Sequence, residues 1–304
     1  MPSNALTPPT TPTPAVLLCF DDELPSATRL AQAANMTAVL IERHRFPDGE
    51  IKLRLPESLP PQVIMLRTLN DPNEKLLELL LVAQTARSLG ARHLTLVAPY
   101  LAYMRQDIAF HQGEAISQRI VGSFLAGLFD AVITVDPHLH RVTALQQAVP
   151  AAHAIALSAA PLLSDWIAAH RPQALLMGPD EESAQWVAMA AARHGFDHAV
   201  CRKLRHGDRS VAVELPVMAL VGRQVVLLDD VVSTGHTVAQ AAQQLLAAGA
   251  VSVDVAVTHA LFSGNALQMM QAAGIGEVWS TDCVTHPSNV VNMADTLAAA
   301  LRSQ

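Results

Sequence analysis

Val225-Val226-Leu227-Leu228-Asp229-Asp230-Val231-Val232-Ser233-Thr234-Gly235-His236-Thr237-Val238 runs from a buried-type apolar stretch through two adjacent acids into a hydroxyl-rich turn around one glycine. The apolar stretch predicts a strand over Val225–Leu228, and the residues after the turn predict a helix over His236–Ala248, stopped by Gly249. Six more short apolar runs predict strands: Ala15–Phe20, Val63–Leu66, Leu94–Ala98, Ala131–Val135, Ala174–Met177 and Ser252–Thr258. Between them lie Ala- and Leu-rich stretches expected to be helical: Asn73–Leu89, Ile116–Leu128, Ala160–Ala169 and Ser183–His194. Strand and helix patterns that alternate in this way predict an α/β protein built on mainly parallel sheets. In such sheets ligands bind at the carboxyl ends of the strands, where this turn lies. Backbone amides opening the helix, with the hydroxyls of Ser233, Thr234 and Thr237, suit a phosphate dianion, and Gly235 permits close backbone approach. Asp229 and Asp230 would repel that phosphate; as acceptors they suit sugar hydroxyls or Mg²⁺.

The chain has 304 residues, enough for two domains of ordinary size. An Ala/Pro/His connector around Ala148–Ser158 places the expected division at residue 150, giving a flexible Pro- and Thr-rich tail over 1–14 and domains over 15–150 and 151–304. The runs Val132–Asp136 and Val225–Asp229 echo each other, as two copies of one α/β unit would. A formal charge of −7 gives no electrostatic reason to expect nucleic acid or an anionic membrane as partner. No apolar run reaches the length of a membrane span, and three cysteines without paired spacing indicate neither a disulfide framework nor a zinc site. A reducing cytoplasm is the expected compartment.

The Asp229–Thr237 loop resembles the phosphoribosyl-diphosphate motif shared by type I phosphoribosyltransferases and phosphoribosyl-diphosphate synthetases, with His236 where synthetases commonly carry glycine. Segments in the first half resemble the synthetases, the ribose-phosphate diphosphokinases. Arg45-Phe46-Pro47-Asp48-Gly49-Glu50 resembles their FxDGE segment, and Pro99-Tyr100-Leu101-Ala102-Tyr103-Met104-Arg105-Gln106-Asp107 resembles their PYxxYxRQD signature. Asp136-Pro137-His138 is similar to their DxH, and Gly178-Pro179-Asp180 to their PD pair. After Asp180 the usual two glycines are replaced by Glu181-Glu182. Arg202–Arg209 resembles the catalytic loop with its KxR core at Lys203 and Arg205, and Thr258–Gly264 a further family segment. The match runs from about Phe46 to Thr281, in the manner of a divergent member.

The resemblance implies two tandem phosphoribosyltransferase-type (type I) domains. It also implies an enzyme that moves the β,γ-diphosphate of Mg·ATP onto the 1-hydroxyl of ribose 5-phosphate. It assigns ATP to Phe46, Asp48, Glu50, Arg105, Gln106, Asp107 and His138, and the sugar phosphate to Asp229, Asp230, Ser233, Thr234, Gly235, His236 and Thr237. Catalysis falls to Lys203 and Arg205, and Mg²⁺ to the neighbourhood of His138 and Asp180. His140 is read as an extra, solvated imidazole. A homo-oligomer is implied, with Phe46, Asp48 and Glu50 serving a neighbour's site. The alternatives are a phosphoribosyltransferase, which would use no ATP, and a non-catalytic regulatory relative, which could dispense with Lys203 and Arg205.

Overall fold

Short runs rich in Val, Ile, Leu and Ala form the central strands of two sheets in the computed structural model, which describes residues 15–206 and 210–303, without the side chains of 203–206 and 210–212. The Met1–Pro14 tail lies outside the described residues. The first half runs β1 (Ala15–Cys19), α1 (Leu24–Ala34), β2 (Thr37–Leu40), β3 (Glu42–Arg45), β4 (Ile51–Arg54), β5 (Gln62–Leu66), α2 (Pro72–Ser88), β6 (His93–Val97), α3 (Ser117–Leu128), β7 (Ala131–Val135), α4 (Leu145–Ala148) and β8 (His153–Leu157). There follow α5 (Ala160–His170), β9 (Leu175–Gly178), α6 (Ala184–His194), β10 (His198–Val200), β11 (Arg202–His206), β12 (Ser210–Glu214), β13 (Gln224–Val232), α7 (His236–Ala247), β14 (Ser252–Ala260), α8 (Ala266–Ala272), β15 (Ile275–Thr281), β16 (Asn289–Val291) and α9 (Ala294–Arg302).

The first sheet has the order β2, β1, β5, β6, β7, β8, and the second β10, β9, β13, β14, β15, β16. Every pairing within them is parallel. An antiparallel hairpin stands off each sheet, β3 with β4 and β11 with β12. With the hairpins set aside the two orders coincide, so the chain contains one α/β plan twice. The expected echo is mispaired, however. By position in the sheets β13 corresponds to β5, and β7 to β15. Short apolar strands ending in Asp recur wherever a buried strand reaches a polar edge, so composition alone paired the wrong two.

β8 lies beyond the expected division at residue 150 yet pairs with β7, so the first sheet closes at Leu157. The helices after each sheet's last strand cross over. α5, following β8, packs on α6 of the second half, and α9, following β16, packs on α1 of the first, where Arg302 donates to the Ala33 carbonyl at 3.1 Å. The inner faces of both sheets therefore share one core, with Leu17 and Ile133 from the first and Leu176, Val226 and Ala256 from the second. Each outer face has its own core, beneath α2 and α3 in the first half and beneath α7 in the second.

Two aspartates in equivalent positions stitch the halves together. Asp136, after β7, donates its amide to the Leu157 carbonyl and accepts from the Ala159 amide at 2.9 Å. Asp282, after β15, donates to the Val291 carbonyl and accepts from the Met293 amide at 2.8 Å. Each also accepts from a helix of the other half: Asp136 from Trp186 Nε1 at 2.9 Å, and Asp282 from Arg29 Nη2 at 2.9 Å. Asp136 further accepts from Thr258 Oγ1 at 2.8 Å. Burial raises the Asp136 pKa despite these donors.

Candidate active site

β13 continues four residues past the expected Leu228, because Asp229 through Val232 stay in register with Val257 through Ala260 of β14. This extension carries the two acids to the carboxyl edge. Gly235 then caps α7 in the left-handed region at φ 77°, and a Cβ there would press within 3.3 Å of the Ala266 carbonyl, so the turn requires glycine. The segment after β14 braces the loop: Phe262 and Ser263 donate their amides to the carbonyls of Val232 and Ser233, and the Ser233 and Ser263 hydroxyls lie 3.0 Å apart.

A cavity of about 220 Å³ opens above this loop. Its lining comes from both halves: Arg105 and His138 from the first, and Asp180, Glu182, Asp229, Asp230 and the whole turn from Ser233 to Thr237 from the second. Asp230 is almost fully buried, and its Oδ2 lies 2.6 Å from His138 Nδ1. Burial disfavours the charged imidazole, but the hydrogen bond and charge of Asp230, aided by Glu182, outweigh it and raise the His138 pKa. Asp229 keeps some exposure at the cavity floor. Its pKa is pushed well up by burial and by the like charges of Asp230 and Asp180.

Other assigned residues stand elsewhere. Gln106 braces the start of α3, accepting from Ser117 Oγ at 3.2 Å and, through its carbonyl, from the Gln118 amide. Asp107 is buried and accepts from Arg141 Nη1 at 2.5 Å. Neither lines the cavity, so of that signature only Arg105 reaches it. Phe46, Asp48 and Glu50 form the tip of the β3–β4 hairpin, closed by the Phe46 amide donating to the Glu50 carbonyl and the Glu50 amide to Asp48 Oδ1 at 3.1 Å. They too are absent from the lining. The backbone of Lys203 and Arg205 lies in β11 opposite Val213 and Val211; their side chains fall outside the described part.

Three neighbours were not assigned to the site from sequence, Glu182 being noted only as a departure from the family pattern and His140 only as an extra, solvated imidazole. Glu182 follows β9 on a short turn whose first amides are held by Asp180, with Glu182 N donating to Asp180 Oδ1 at 3.1 Å, and this turns the Glu182 carboxylate toward His138 and His140. His140 is exposed, though its side chain alone is 26% accessible, and it packs edge-on against His138. His259 was seen only as part of a segment. It is buried beneath the cavity between the halves and donates through Nε2 to the Val135 carbonyl at 2.9 Å. Only the side-chain packing brings these three to the site; His140 and Glu182 lie 42 residues apart in sequence.

The description "N-terminal domain of ribose phosphate pyrophosphokinase" matches residues 16–128, and "Phosphoribosyl synthetase-associated domain" matches residues 200–298. The chain is 32% identical over 292 residues to the ribose-phosphate pyrophosphokinase of Methanopyrus kandleri, covering 95% of this chain and 99% of that one. It is 33% identical over 279 residues to ribose-phosphate pyrophosphokinase 1 of Archaeoglobus fulgidus, covering 90% and 95%. The crystal structure of phosphoribosylpyrophosphate synthetase from Mycobacterium smegmatis superposes with a TM-score of 0.83 at 26% identity, covering 95% of this chain and 98% of that one. With one α/β plan used twice, a loop cavity fed by both halves, and likeness to these relatives along nearly its whole length, this chain belongs to the ribose-phosphate pyrophosphokinase family.

Proposed function

We propose that the chain transfers the β,γ-diphosphate of Mg·ATP to the 1-hydroxyl of ribose 5-phosphate, giving phosphoribosyl diphosphate and AMP. One observation carries the reading: Arg105 and His138, assigned to ATP, line the same cavity as the Asp229–Thr237 loop assigned to the sugar phosphate. The 5-phosphate sits on the amides and hydroxyls of Ser233, Thr234, Gly235, His236 and Thr237 at the start of α7. Asp229 and Asp230 accept from the ribose hydroxyls and fix the anomeric oxygen for in-line attack on the β-phosphorus. Asp230 also holds the His138 ring, which presents Nε2 to an ATP phosphate oxygen, and Arg105 grips the phosphates from the rim.

Mg²⁺ fits this donor set. Asp180 and Asp229 offer hard oxygen ligands; burial first, and then the like charges of Asp230 and Asp180, raise the Asp229 pKa, and a cation would relieve that crowding. When bound, the ion neutralises charge on the diphosphate. Lys203 and Arg205 stabilise charge on the transferring group. Phe46, Asp48 and Glu50, away from their own chain's cavity, serve the ATP site of a second copy in a homo-oligomer. Residues 15–157 form the ATP-side domain and those that follow the sugar-phosphate side, in the cytoplasm. No helix among the described residues is long and apolar enough to cross a membrane.

The test is AMP release from ATP and ribose 5-phosphate by the purified chain. Arg205→Ala is expected to cut turnover by at least about 100-fold while leaving ribose 5-phosphate binding within about twofold. Turnover of that variant at the wild-type rate would remove Arg205 from the reaction.

A further inference from the structure

The β3–β4 hairpin joins neither six-stranded sheet, and two strands by themselves hold a shape poorly in water. Its two faces differ. The cross-strand pairs Arg43 with Leu53 and Arg45 with Ile51 share one face, and Glu42 with Arg54 and His44 with Lys52 share the other. All four residues of the second face are exposed. The first face meets the body of the molecule, where Leu53 packs on the outer core beneath α2 and α3 and the two arginines reach α2.

Arg43 Nη1 donates to Glu78 Oε1 at 2.5 Å, and Arg45 Nη2 donates to Glu74 Oε1. Arginines two apart on a strand project about 7 Å apart, and glutamates four apart on a helix about 6 Å apart, so the two contacts form rungs of one ladder. The rungs differ in depth. Glu78 is fully buried and its second oxygen faces Arg67 Nη2 at 2.5 Å, while Arg43 Nη2 also donates to Asp21 Oδ1 at 2.9 Å. The outer rung is open to solvent, with 55% of the Arg45 side chain and 40% of the Glu74 side chain accessible. The helix that carries the glutamates is held at its start, where Tyr103, two residues before Arg105, donates its hydroxyl to Asn73 Oδ1.

We infer that this ladder aims the hairpin tip, and that Arg45 and Glu74, backed by Arg43 and Glu78, are positioning residues for the ATP site that Phe46, Asp48 and Glu50 serve. Phe46 lies three residues, about 10 Å, beyond the inner rung, so a tilt of about 10° would displace it by roughly 2 Å. Misplacements of that order spoil binding geometry. The link to ATP rests on the reaction assigned above; the pinning of the hairpin does not.

The experiment reverses the outer rung, because an exposed pair can be broken with little effect on folding, which thermal unfolding checks. Arg45→Glu and Glu74→Arg should each raise KM for ATP at least about fivefold, with kcat and KM for ribose 5-phosphate within about twofold of wild type. The double variant restores opposite charges and should bring KM for ATP back to within about twofold. Hydrogen exchange at the amides of residues 42–54 reads the hairpin without any reaction, and should be faster in each single variant and normal in the double. Wild-type exchange in the single variants, or a double variant as loose as either one, would overturn the ladder. Faster exchange with an unchanged KM for ATP would overturn the positioning role. Failure of wild-type protein to form AMP would count against the reaction, and the exchange result would still decide the pinning.

Discussion

His259 offers a direct test of how the two halves share their interior. Its ring is buried between β14 and β7, with Nε2 donating to the carbonyl of Val135 at 2.9 Å, and burial drives its pKa down from the usual 6.5 to about 4. Between those values the unfolded chain binds a proton that the folded chain refuses. Stability from this group is therefore complete above pH 6.5 and is lost as pH falls, at 1.36 kcal/mol per unit. At pH 5 the loss is about 2 kcal/mol, 1.5 units below 6.5 and still above 4. Burial raises Asp136 and Glu23 in the folded state, so these carboxyls act in the opposite sense and favour folding as pH falls. The measurement must therefore be a difference. In His259→Gln the amide can still reach the Val135 carbonyl but does not titrate. Urea unfolding at pH 7.5 and pH 5 should show wild type losing about 2 kcal/mol more than the variant between the two conditions. Equal losses in the two proteins would refute the claim that this imidazole is held neutral by burial.

Gly122→Ala should destabilise by at least about 2 kcal/mol in urea, because a Cβ in mid-α3 would drive into the backbone carbonyl of Ala148; an unchanged midpoint would mean α3 can shift freely off α4. Gly235→Ala forces a side chain into the left-handed region and toward the Ala266 carbonyl, at a cost of about 1–2 kcal/mol, and should raise KM for ribose 5-phosphate roughly 10-fold. A normal KM in that variant would separate the turn from phosphate binding.

The seven strands expected from sequence all lie inside the sheets, β1, β5, β6 and β7 in one and β9, β13 and β14 in the other; β15 lies inside too but was missed, because exposed Gly276 and Glu277 break its apolar run. Covered on both faces, the seven read as mainly apolar runs, the expected stretches being interrupted by a charge only at Asp254 in β14. The edge strands did not announce themselves. Thr37–Leu40 is half exposed throughout, His153–Leu157 alternates Ala with His and Ile, and Asn289–Val291 has only three residues. α1 was obscured by Pro25, which is harmless in the first turn of a helix. At the site, the loop, Arg105 and His138 could be found because each lies at a strand's carboxyl edge. Asp107 was legible only as a residue of the same loop. Its partner Arg141 comes from a segment 34 residues away, and this turns it inward. Glu182 was visible as a departure, but its direction is set by the Asp180 cap and by the seam between the halves, which no local pattern encodes.

The crossing of α5 and α9 limits how the molecule can move. A protein whose lobes each owned their helices could open and shut like jaws, swinging about the linker. Here each lobe is wedged by a helix sent from the other, so a swing would tear apolar surface out of the common interior at both ends at once. The crossed helices thus set the spacing of the lobes, and widening the gap between them would cost the packing of the shared core.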